Sequence, residues 1–358
     1  MILLQKYVLK EWAWTILAVS IVLISVLLAL FLGNMFDDIA DGRMPAGLVG
    51  TQLVLYLPRA VGHVVPLAGF IAIMWGLGRL YRDQEMAVMR SSGFKWQQLL
   101  RPLLNLVIPL GMLLLVIDLL LAPMASHTAE RKLQEAVKNA AVWGLQAGQF
   151  HVMKRGDLVI YVGSLGEDGR TLERVFVNLV DGDIEQVWVA KSGEYWLDPE
   201  TRERYLTLID GEVTERIENQ LDVRRLQFAR NDLRLPEPEM RKKKDDDLES
   251  RRSLTLIEEG GRAAWAEIQW RFTPAIALLV LAFLAIPLSH SGPREGRSGR
   301  VVLGILVYAL YSNILVLWRS WIADGVVPLW FGLWWPHLLV LLTGYLWLRN
   351  QGRMPRAR

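Results

Sequence analysis

The chain has 358 residues, of which 52% are hydrophobic, and a formal net charge of only +3. So small a charge gives no support to a nucleic-acid-binding function. The absence of cysteine excludes disulfides, thiolate metal sites and a cysteine nucleophile. Apolar residues are concentrated in two blocks, one at each end, while the middle has the composition of a soluble domain. This distribution indicates a membrane protein with a polar insert.

Six apolar stretches are long enough to cross a bilayer as helices, since a hydrocarbon core of about 30 Å needs about 20 helical residues. They are Ala13–Gly33, Leu53–Leu77, Leu103–Ala122, Phe272–Ser289, Val301–Trp321 and Pro328–Leu348. A cleaved signal peptide is the alternative for the first stretch, but its apolar run exceeds the roughly 7–15 residues of such a segment. We therefore predict a retained helix.

Three charged residues lie within these spans: Arg59, Asp118 and Arg319. An acid at mid-span costs about 3 kcal/mol, which the many Leu, Ile and Val residues around Asp118 outweigh. Charged side chains at membrane depth face a bundle interior, an aqueous cavity or a partner protein. They form either a structural ion pair or a passage for a charged substrate, and the sequence does not distinguish the two.

Basic residues in the short loops predict the orientation, because cytoplasmic loops carry an excess of Lys and Arg. One side of the predicted bundle has Lys6, Lys10, Arg79, Arg82, Arg90, Lys95, Arg101, Arg294, Arg297, Arg300, Arg349, Arg353, Arg356 and Arg358. The short loops of the other side offer only Arg43, apart from Arg59 and Arg319 near helix ends. Both termini are therefore predicted to be cytoplasmic. The polar insert then lies outside the cytoplasm, which in a Gram-negative cell is the periplasm.

The insert begins with a predicted helix over Ser126–Asn139 and continues with strand-like segments of β-branched and aromatic residues. The strand-like segments are Phe150–Val152, Leu158–Val162, Val175–Leu179, Val187–Val189, Tyr205–Ile209 and Val223–Phe228. Turn signals occur at Gly156, 167–169, Asp181-Gly182, Asp198-Pro199 and Asp210-Gly211. Strands at this spacing predict a sandwich or barrel-like all-β domain. The charged segment Pro236–Arg252 is predicted to be a linker, and the charge run Arg241–Asp247 within it is predicted to be solvated.

Sequence signals for catalysis and metal binding are missing. The five histidines are far apart in sequence, and neither an HExxH motif nor a Walker A motif occurs. Ser92-Gly93-Phe94-Lys95 fits a bare SxxK pattern but lacks its companion motifs. We therefore predict no catalytic residue, no metal site and no enzymatic activity for this chain alone.

The cytoplasmic loop between the second and third spans contains a predicted helix that ends at Gly93. At helical spacing, Arg82, Glu85, Met86 and Met89 share one stripe. Exposed methionines flanked by charges suit an adaptable protein-docking surface. The alternative is an amphipathic helix lying on lipid headgroups, and the spacing favours neither.

Several short motifs, in this order and on this topology, resemble one family. They are Met1-Ile2-Leu3-Leu4-Gln5-Lys6-Tyr7, Asp41-Gly42 with Pro45, Gly78-Arg79-Leu80-Tyr81, Glu85-Met86-Ala87-Val88-Met89 with Gly93, Ala147-Gly148-Gln149-Phe150, Ala266-Glu267-Ile268-Gln269-Trp270-Arg271, Ile286-Pro287-Leu288-Ser289, Pro293-Arg294-Glu295-Gly296-Arg297 and Arg319-Ser320-Trp321. Across nearly its whole length the chain is similar to permease subunits of lipopolysaccharide export ABC transporters. This is the YjgP/YjgQ family, and the similarity is greatest to its F-type members.

The resemblance implies six transmembrane helices with a periplasmic β-jellyroll between the third and fourth. Residues 1–125 would hold spans one to three with a coupling helix near 79–93, residues 126–252 the jellyroll and linker, and residues 253–358 spans four to six. Implied partners are a homologous G-type permease, a cytoplasmic ATPase dimer, a single-span bitopic subunit and lipopolysaccharide. The coupling helix would contact the ATPase, with Glu85 at the family's acidic position. No cofactor is expected in this chain, because ATP and Mg would bind the ATPase.

One departure concerns the outer end of the first span, where family members often carry basic residues suited to lipid phosphates. Here Phe31–Asp38 is neutral and then acidic. Arg59, Arg319 and Asp118 are therefore our candidate lipid-binding residues. Two other functions remain open from the residues alone. They are a permease for another lipid, lipoprotein or peptide cargo, and a membrane-anchored periplasmic scaffold.

Overall fold

The computed structural model describes residues 2–40, 44–91, 93, 96–139, 147–153, 157–166, 171–182, 184–198, 204–217, 223–235, 248–290 and 297–351. The chain forms two compact units. A helical unit contains Met1–Phe31, Thr51–Glu130 and Lys243–Arg358, and a second unit contains Leu32–Gly50 and Arg131–Lys242. The predicted turns at Gly156 and 167–169, and the linker from Pro236 to Asp247, lie outside the described residues.

The helices follow the predicted spans but extend beyond most of them. They are α1 (Ile2–Ala40), α2 (Val49–Arg82), α3 (Glu85–Ser91), α4 (Gln97–Val116), α5 (Ala122–Asn139), α6 (Ser253–Glu259), α7 (Arg262–Leu288), α8 (Arg297–Ala323) and α9 (Trp334–Gln351). A π-helical turn, Ile117–Leu121, joins α4 to α5 without a break in the helix. The extensions are polar turns, which a hydropathy window does not count as part of a span.

Five of the described helical segments are long and apolar enough to cross a membrane: Gln5–Ala40, Ala46–Arg82, Gln97–Ala136, Arg262–Leu288 and Gly299–Ala323. The sixth predicted span, Pro328–Leu348, is shorter than expected. Its helix starts only at Trp334, after turns in which Gly325 and Gly332 adopt positive φ angles. At 1.5 Å per residue, 18 residues cover about 27 Å.

The most buried of the membrane-length helices are α2 and α7, and α7 packs mainly against α4, α8 and α9. About 72% of the most apolar window of each is buried, against 11% for α1 and 17% for α8. Small residues make room for the side chains of neighbouring helices, as is usual in membrane bundles. At Gly69, for example, a Cβ atom would lie 2.6 Å from Leu278 of α7. The apolar faces of α1 and α8 point away from the core of the helical unit.

The second unit contains an all-β insert, as predicted, and each predicted strand segment lies within a strand. The strands are β1 (Phe150–Met153), β2 (Leu158–Leu165), β3 (Thr171–Asp181), β4 (Ile184–Leu197), β5 (Arg204–Ile217) and β6 (Val223–Leu235). They form one antiparallel sheet in the order β1-β2-β3-β4-β5-β6. This is a meander, in place of the Greek-key connections of a jellyroll.

The buried side chains switch from one face of the sheet to the other at a single row of neighbouring residues that runs across the strands. In a straight strand, inward side chains recur every two residues. Here successive buried residues of one strand are three positions apart, as Leu172 and Val175 are in β3 and as Ala190 and Gly193 are in β4. The switch falls at one register row, where regular pairing is interrupted in four successive strand pairs. That row contains Gly163, Arg174, Lys191, Asp210 and Ala229.

Backbone geometry explains the change of face. Arg174 and Asp210 in this row have positive φ angles of 55° and 60°, which reverse the direction of the following side chains. Lys191, between them, donates a 2.8 Å hydrogen bond to Asp210 that raises the pKa of Lys191. The predicted turn at Asp210-Gly211 is therefore wrong, because both residues lie inside β5. Both halves of the folded sheet send apolar side chains into one core.

Candidate functional site

The helical unit contains a cavity of about 200 Å³. α2, the π-turn, α7 and α8 line it, together with the segment just before α6. Its polar and charged lining residues are Arg59, His63, Asp118, Glu249, Glu267, Arg271, Thr273, Tyr308, Tyr311 and Ser312. The volume holds several water-sized groups. The cavity therefore places a charged surface inside an otherwise apolar helical bundle.

The carboxylate of Glu249 lies between two arginines from different helices. Its Oε2 is 2.6 Å from Nη2 of Arg59 on α2, and its Oε1 is 3.5 Å from Nη1 of Arg319 on α8. Arg59 also donates a 3.2 Å hydrogen bond to Ser126, and the guanidinium of Arg319 stacks 5.1 Å from the ring centre of Trp270. These contacts orient both guanidinium groups towards one anion position.

A second, deeper part of the same network lies on α7. Arg271 donates a 3.0 Å hydrogen bond to Glu267 one turn before it, and both side chains are 4% exposed. Nη2 of Arg319 lies 2.8 Å from Oε2 of Glu267 and so links the two parts. Arg271 also donates to Ser253 and to the backbone carbonyls of Leu248 and Arg251. This single guanidinium fixes the backbone of the segment that carries Glu249.

Asp118 faces the cavity from the π-turn, a helix irregularity that is frequent at functional sites. Its Oδ2 is buried and accepts no hydrogen bond from the described residues. The side chain fits because α2 has a glycine opposite it. A Cβ atom at Gly62 would lie 2.3 Å from Oδ1 of Asp118. Gly62 therefore makes room for a carboxyl group inside the bundle.

Replacing Gly62 with alanine is expected to destabilise the helical unit by about 1–2 kcal/mol, because Asp118 must rotate away from the new methyl group. Thermal melting of the detergent-purified chain measures this effect. Gly78→Ala on the same helix is the matched control, since a Cβ there meets no atom within 4 Å. Equal melting temperatures for the two variants would contradict the predicted contact.

The structure brings the three predicted residues Arg59, Asp118 and Arg319 to one cavity. The acidic partners of these arginines were not predicted from the sequence. Glu249 lies in the predicted linker, just after the run of seven charged residues Arg241–Asp247, and nothing in this pattern indicates a buried ion pair. Glu267 was noted only as part of a motif, although Glu267 and Arg271 are spaced i, i+4 on a helix. That spacing was the available signal for an ion pair.

The four residues predicted on the α3 stripe differ in exposure. Arg82 and Glu85 are exposed, while Met86 is only 3% exposed and belongs to the hydrophobic core of the helical unit. Met89 is partly buried against the same core. The expectation of two exposed methionines was therefore wrong. α2 ends at Arg82, and the positive φ of Gln84 (56°) turns the chain so that Met86 points inward.

The exposed surface of α3 is therefore charged and partly apolar, with Glu85 beside Val88, which is 69% exposed. A methionine anchor beneath two exposed charged residues suits protein docking. In the part of the chain that the structure describes, no three His, Asp or Glu side chains are grouped to hold a metal ion.

A helical unit with five membrane-length segments, an all-β insert and an internal charged cavity define a multi-pass membrane protein of the permease class. The chain belongs to the family described as lipopolysaccharide export system permease LptF/LptG, whose model matches residues 6–350. This match also identifies the family to which the sequence motifs pointed.

Individual relatives agree with this assignment. The chain is 24% identical over 338 residues to the lipopolysaccharide export system permease protein LptF of Escherichia coli (strain K12), covering 94% of this chain and 92% of that protein. The LptF protein of Shigella flexneri has the same identity and coverage. LptG of E. coli (strain K12) is 25% identical over 159 residues, or 44% of each chain.

Proposed function

We propose that the chain is the F-type permease subunit of an ABC transporter that extracts lipopolysaccharide from the inner membrane and passes it to a periplasmic bridge. Family membership supports the cargo. The observation that carries the energy-coupling part is α3, a short helix in which an exposed acidic residue, Glu85, directly precedes the buried Met86. ATP and Mg bind a separate cytoplasmic ATPase dimer, and this chain holds no cofactor.

The proposed orientation puts both termini and α3 in the cytoplasm and the β-sheet unit in the periplasm. The excess of Lys and Arg in the short loops on the side of α3 supports it. A homologous G-type permease is the proposed membrane partner, and the similarity of the chain to LptG supports a common design. A single-span bitopic subunit completes the assembly. The outward apolar faces of α1 and α8 are surfaces that such partners and lipid chains can cover.

Arg82, Glu85, Met86 and Met89 have two roles in the proposed coupling. Arg82 and Glu85 contact the ATPase, where Glu85 accepts a charge-assisted hydrogen bond from a basic residue. Met86 and Met89 hold α3 against the helical core, so that movement of the ATPase is transmitted to α2.

The lipid site of this proposal is the charged cavity. Arg59 and Arg319 bind a phosphate of the lipid, because guanidinium groups match phosphate oxygens in geometry and charge. Asp118 lies in the same cavity as these two arginines. The neutral to acidic outer end of the first span, Phe31–Asp38, offers no basic group for this role.

Reversing the charge of Glu85 tests the coupling. Co-expressed with its partners, Glu85→Arg is expected to lose the ATPase during purification through a tag on this chain. ATP turnover should fall at least about 30-fold, since a charge contact of about 2–5 kcal/mol becomes repulsive. Glu258→Arg, at another exposed position, is the matched control and keeps wild-type assembly. If the Glu85→Arg complex forms and hydrolyses ATP at the normal rate, the proposed coupling is wrong and a membrane-anchored periplasmic scaffold becomes the favoured function.

A further inference from the structure

We propose that Glu249 is a built-in competitor for the lipid phosphate. Its carboxylate occupies the anion position between Arg59 and Arg319 while the site is empty, and it leaves when a phosphate monoester binds. This inference rests on the proposed lipid-export function and adds a regulatory step to it. The ligand chemistry is the phosphate monoester, whether on a lipid headgroup or free in solution.

The geometry at Glu249 is that of an anion site already filled. Two guanidinium groups, 2.6 Å and 3.5 Å from different oxygens of one carboxylate, converge from α2 and α8. A phosphate monoester carries about −1.5 to −2 charges and three acceptor oxygens, so it neutralises this pair better than one carboxylate does. The side chains of Arg59, Arg319 and Glu249 are 29%, 19% and 22% exposed, so a ligand can reach them.

The surrounding contacts allow the exchange without unfolding. Arg271 holds the backbone of Leu248 and Arg251, so the Glu249 carboxylate can leave by a side-chain rotation alone. Arg319 keeps its 2.8 Å contact to Glu267, and Arg59 keeps its hydrogen bond to Ser126. The adjoining cavity of about 200 Å³ provides the space that the incoming group needs.

The competition has a consequence for release. When an internal anion occupies most of the sites, the apparent affinity of a ligand equals its intrinsic affinity multiplied by the fraction of sites that are free. Glu249 therefore weakens phosphate binding and returns to the arginines when the lipid departs. The arginine pair consequently keeps an anion in both states, and Arg59 in particular is not left as an unpaired charge inside the bundle.

The test is a binding titration on the full-length chain in phosphatidylcholine nanodiscs. The probes are bis-phosphorylated lipid A, the same lipid A after removal of both phosphates, and inorganic phosphate. Glu249→Gln is expected to bind bis-phosphorylated lipid A about tenfold more tightly than wild type, with no change for the dephosphorylated lipid. Glu259→Gln is the matched control, because its exposed pair with Arg251 does not line the cavity and should leave affinity unchanged.

A second variant covers the case in which Glu249→Gln does not assemble. Glu249→Asp keeps the charge but is one methylene shorter on a fixed backbone, and it should tighten binding by about threefold. Tightening with lipid A alone supports the proposal with the headgroup as ligand. Tightening with inorganic phosphate as well supports it with the phosphate group alone as ligand. Unchanged or weaker binding in both variants overturns it.

The double variant Arg59→Gln and Arg319→Gln tests the lipid site itself, separately from the competitor role of Glu249. Loss of lipid A binding in the double variant, without tightening in Glu249→Gln, refutes the competitor and leaves the proposed lipid site intact. Unchanged lipid A binding in the double variant refutes the proposed lipid site itself.

Discussion

Replacing Arg271 with glutamine is expected to lower the free energy of unfolding of the helical unit by about 3–5 kcal/mol. The guanidinium is 4% exposed and donates to Glu267, to Ser253 and to three backbone carbonyls. Glutamine is too short to reach these acceptors. It would leave the carboxylate of Glu267 buried with one cationic partner fewer, and the carbonyls of Leu248 and Arg251 without a donor.

Intrinsic tryptophan fluorescence during heating measures the effect, which should lower the melting temperature by on the order of 10 °C. Arg251→Gln is the control, since its pair with Glu259 is exposed and contributes about 0–1 kcal/mol. Adding Glu267→Gln to Arg271→Gln should restore part of the loss by removing the buried charge. Similar melting of the Arg271 and Arg251 variants would show that the network does not stabilise the unit.

Replacing Gly211 with alanine is expected to destabilise the β-sheet unit by about 3 kcal/mol. The new methyl group would lie 2.5 Å from the carbonyl oxygen of Val189 and 3.0 Å from the Cα of Ala190. Both are backbone atoms of the paired strand β4, so a side-chain rotation cannot relieve the clash. Gly211 directly follows the row at which the sheet changes face, and the strands cannot separate there without losing the shared core.

Hydrogen exchange of the full-length chain measures this change locally. Amides of β4 and β5 near Gly211 should exchange about 100-fold faster in the variant, which is the rate equivalent of about 3 kcal/mol. Gly182→Asn is the matched control in the same sheet. Gly182 has a φ of 61° and open space around it, and asparagine tolerates that conformation. Protection that survives in Gly211→Ala would contradict the predicted clash.

The sequence predicted the elements better than their ends. Hydropathy located the helices because the bilayer requires long apolar runs, but polar turns continue α1 and α2 beyond those runs. The sixth span was overextended, since Val326 to Leu333 is apolar and yet forms turns. The turns are tied to the bundle by contacts distant in sequence, such as the hydrogen bonds of Gln269 to Leu329 and Leu333. Hydropathy averaged over neighbouring residues cannot indicate contacts between residues so far apart in sequence.

The candidate site was predicted in part. Charge at membrane depth singled out Arg59, Asp118 and Arg319, because burying a charge in lipid is costly wherever it occurs. Glu249 lies outside the spans, so the same rule gave no reason to single it out. Met86 was placed correctly on a helix, but which face of α3 is buried depends on the turn at Gln84, whose positive φ has no signature in the sequence.

The row at which the sheet changes face also restricts how this domain can evolve. An insertion or deletion of one residue within a strand turns the remaining side chains to the opposite face. Because the change occurs at one row in neighbouring strands, a length change in β3 would need matching changes in β2, β4 and β5. We infer that homologous β-domains differ in length at the connections between strands, while the strands keep their residue number on each side of the row.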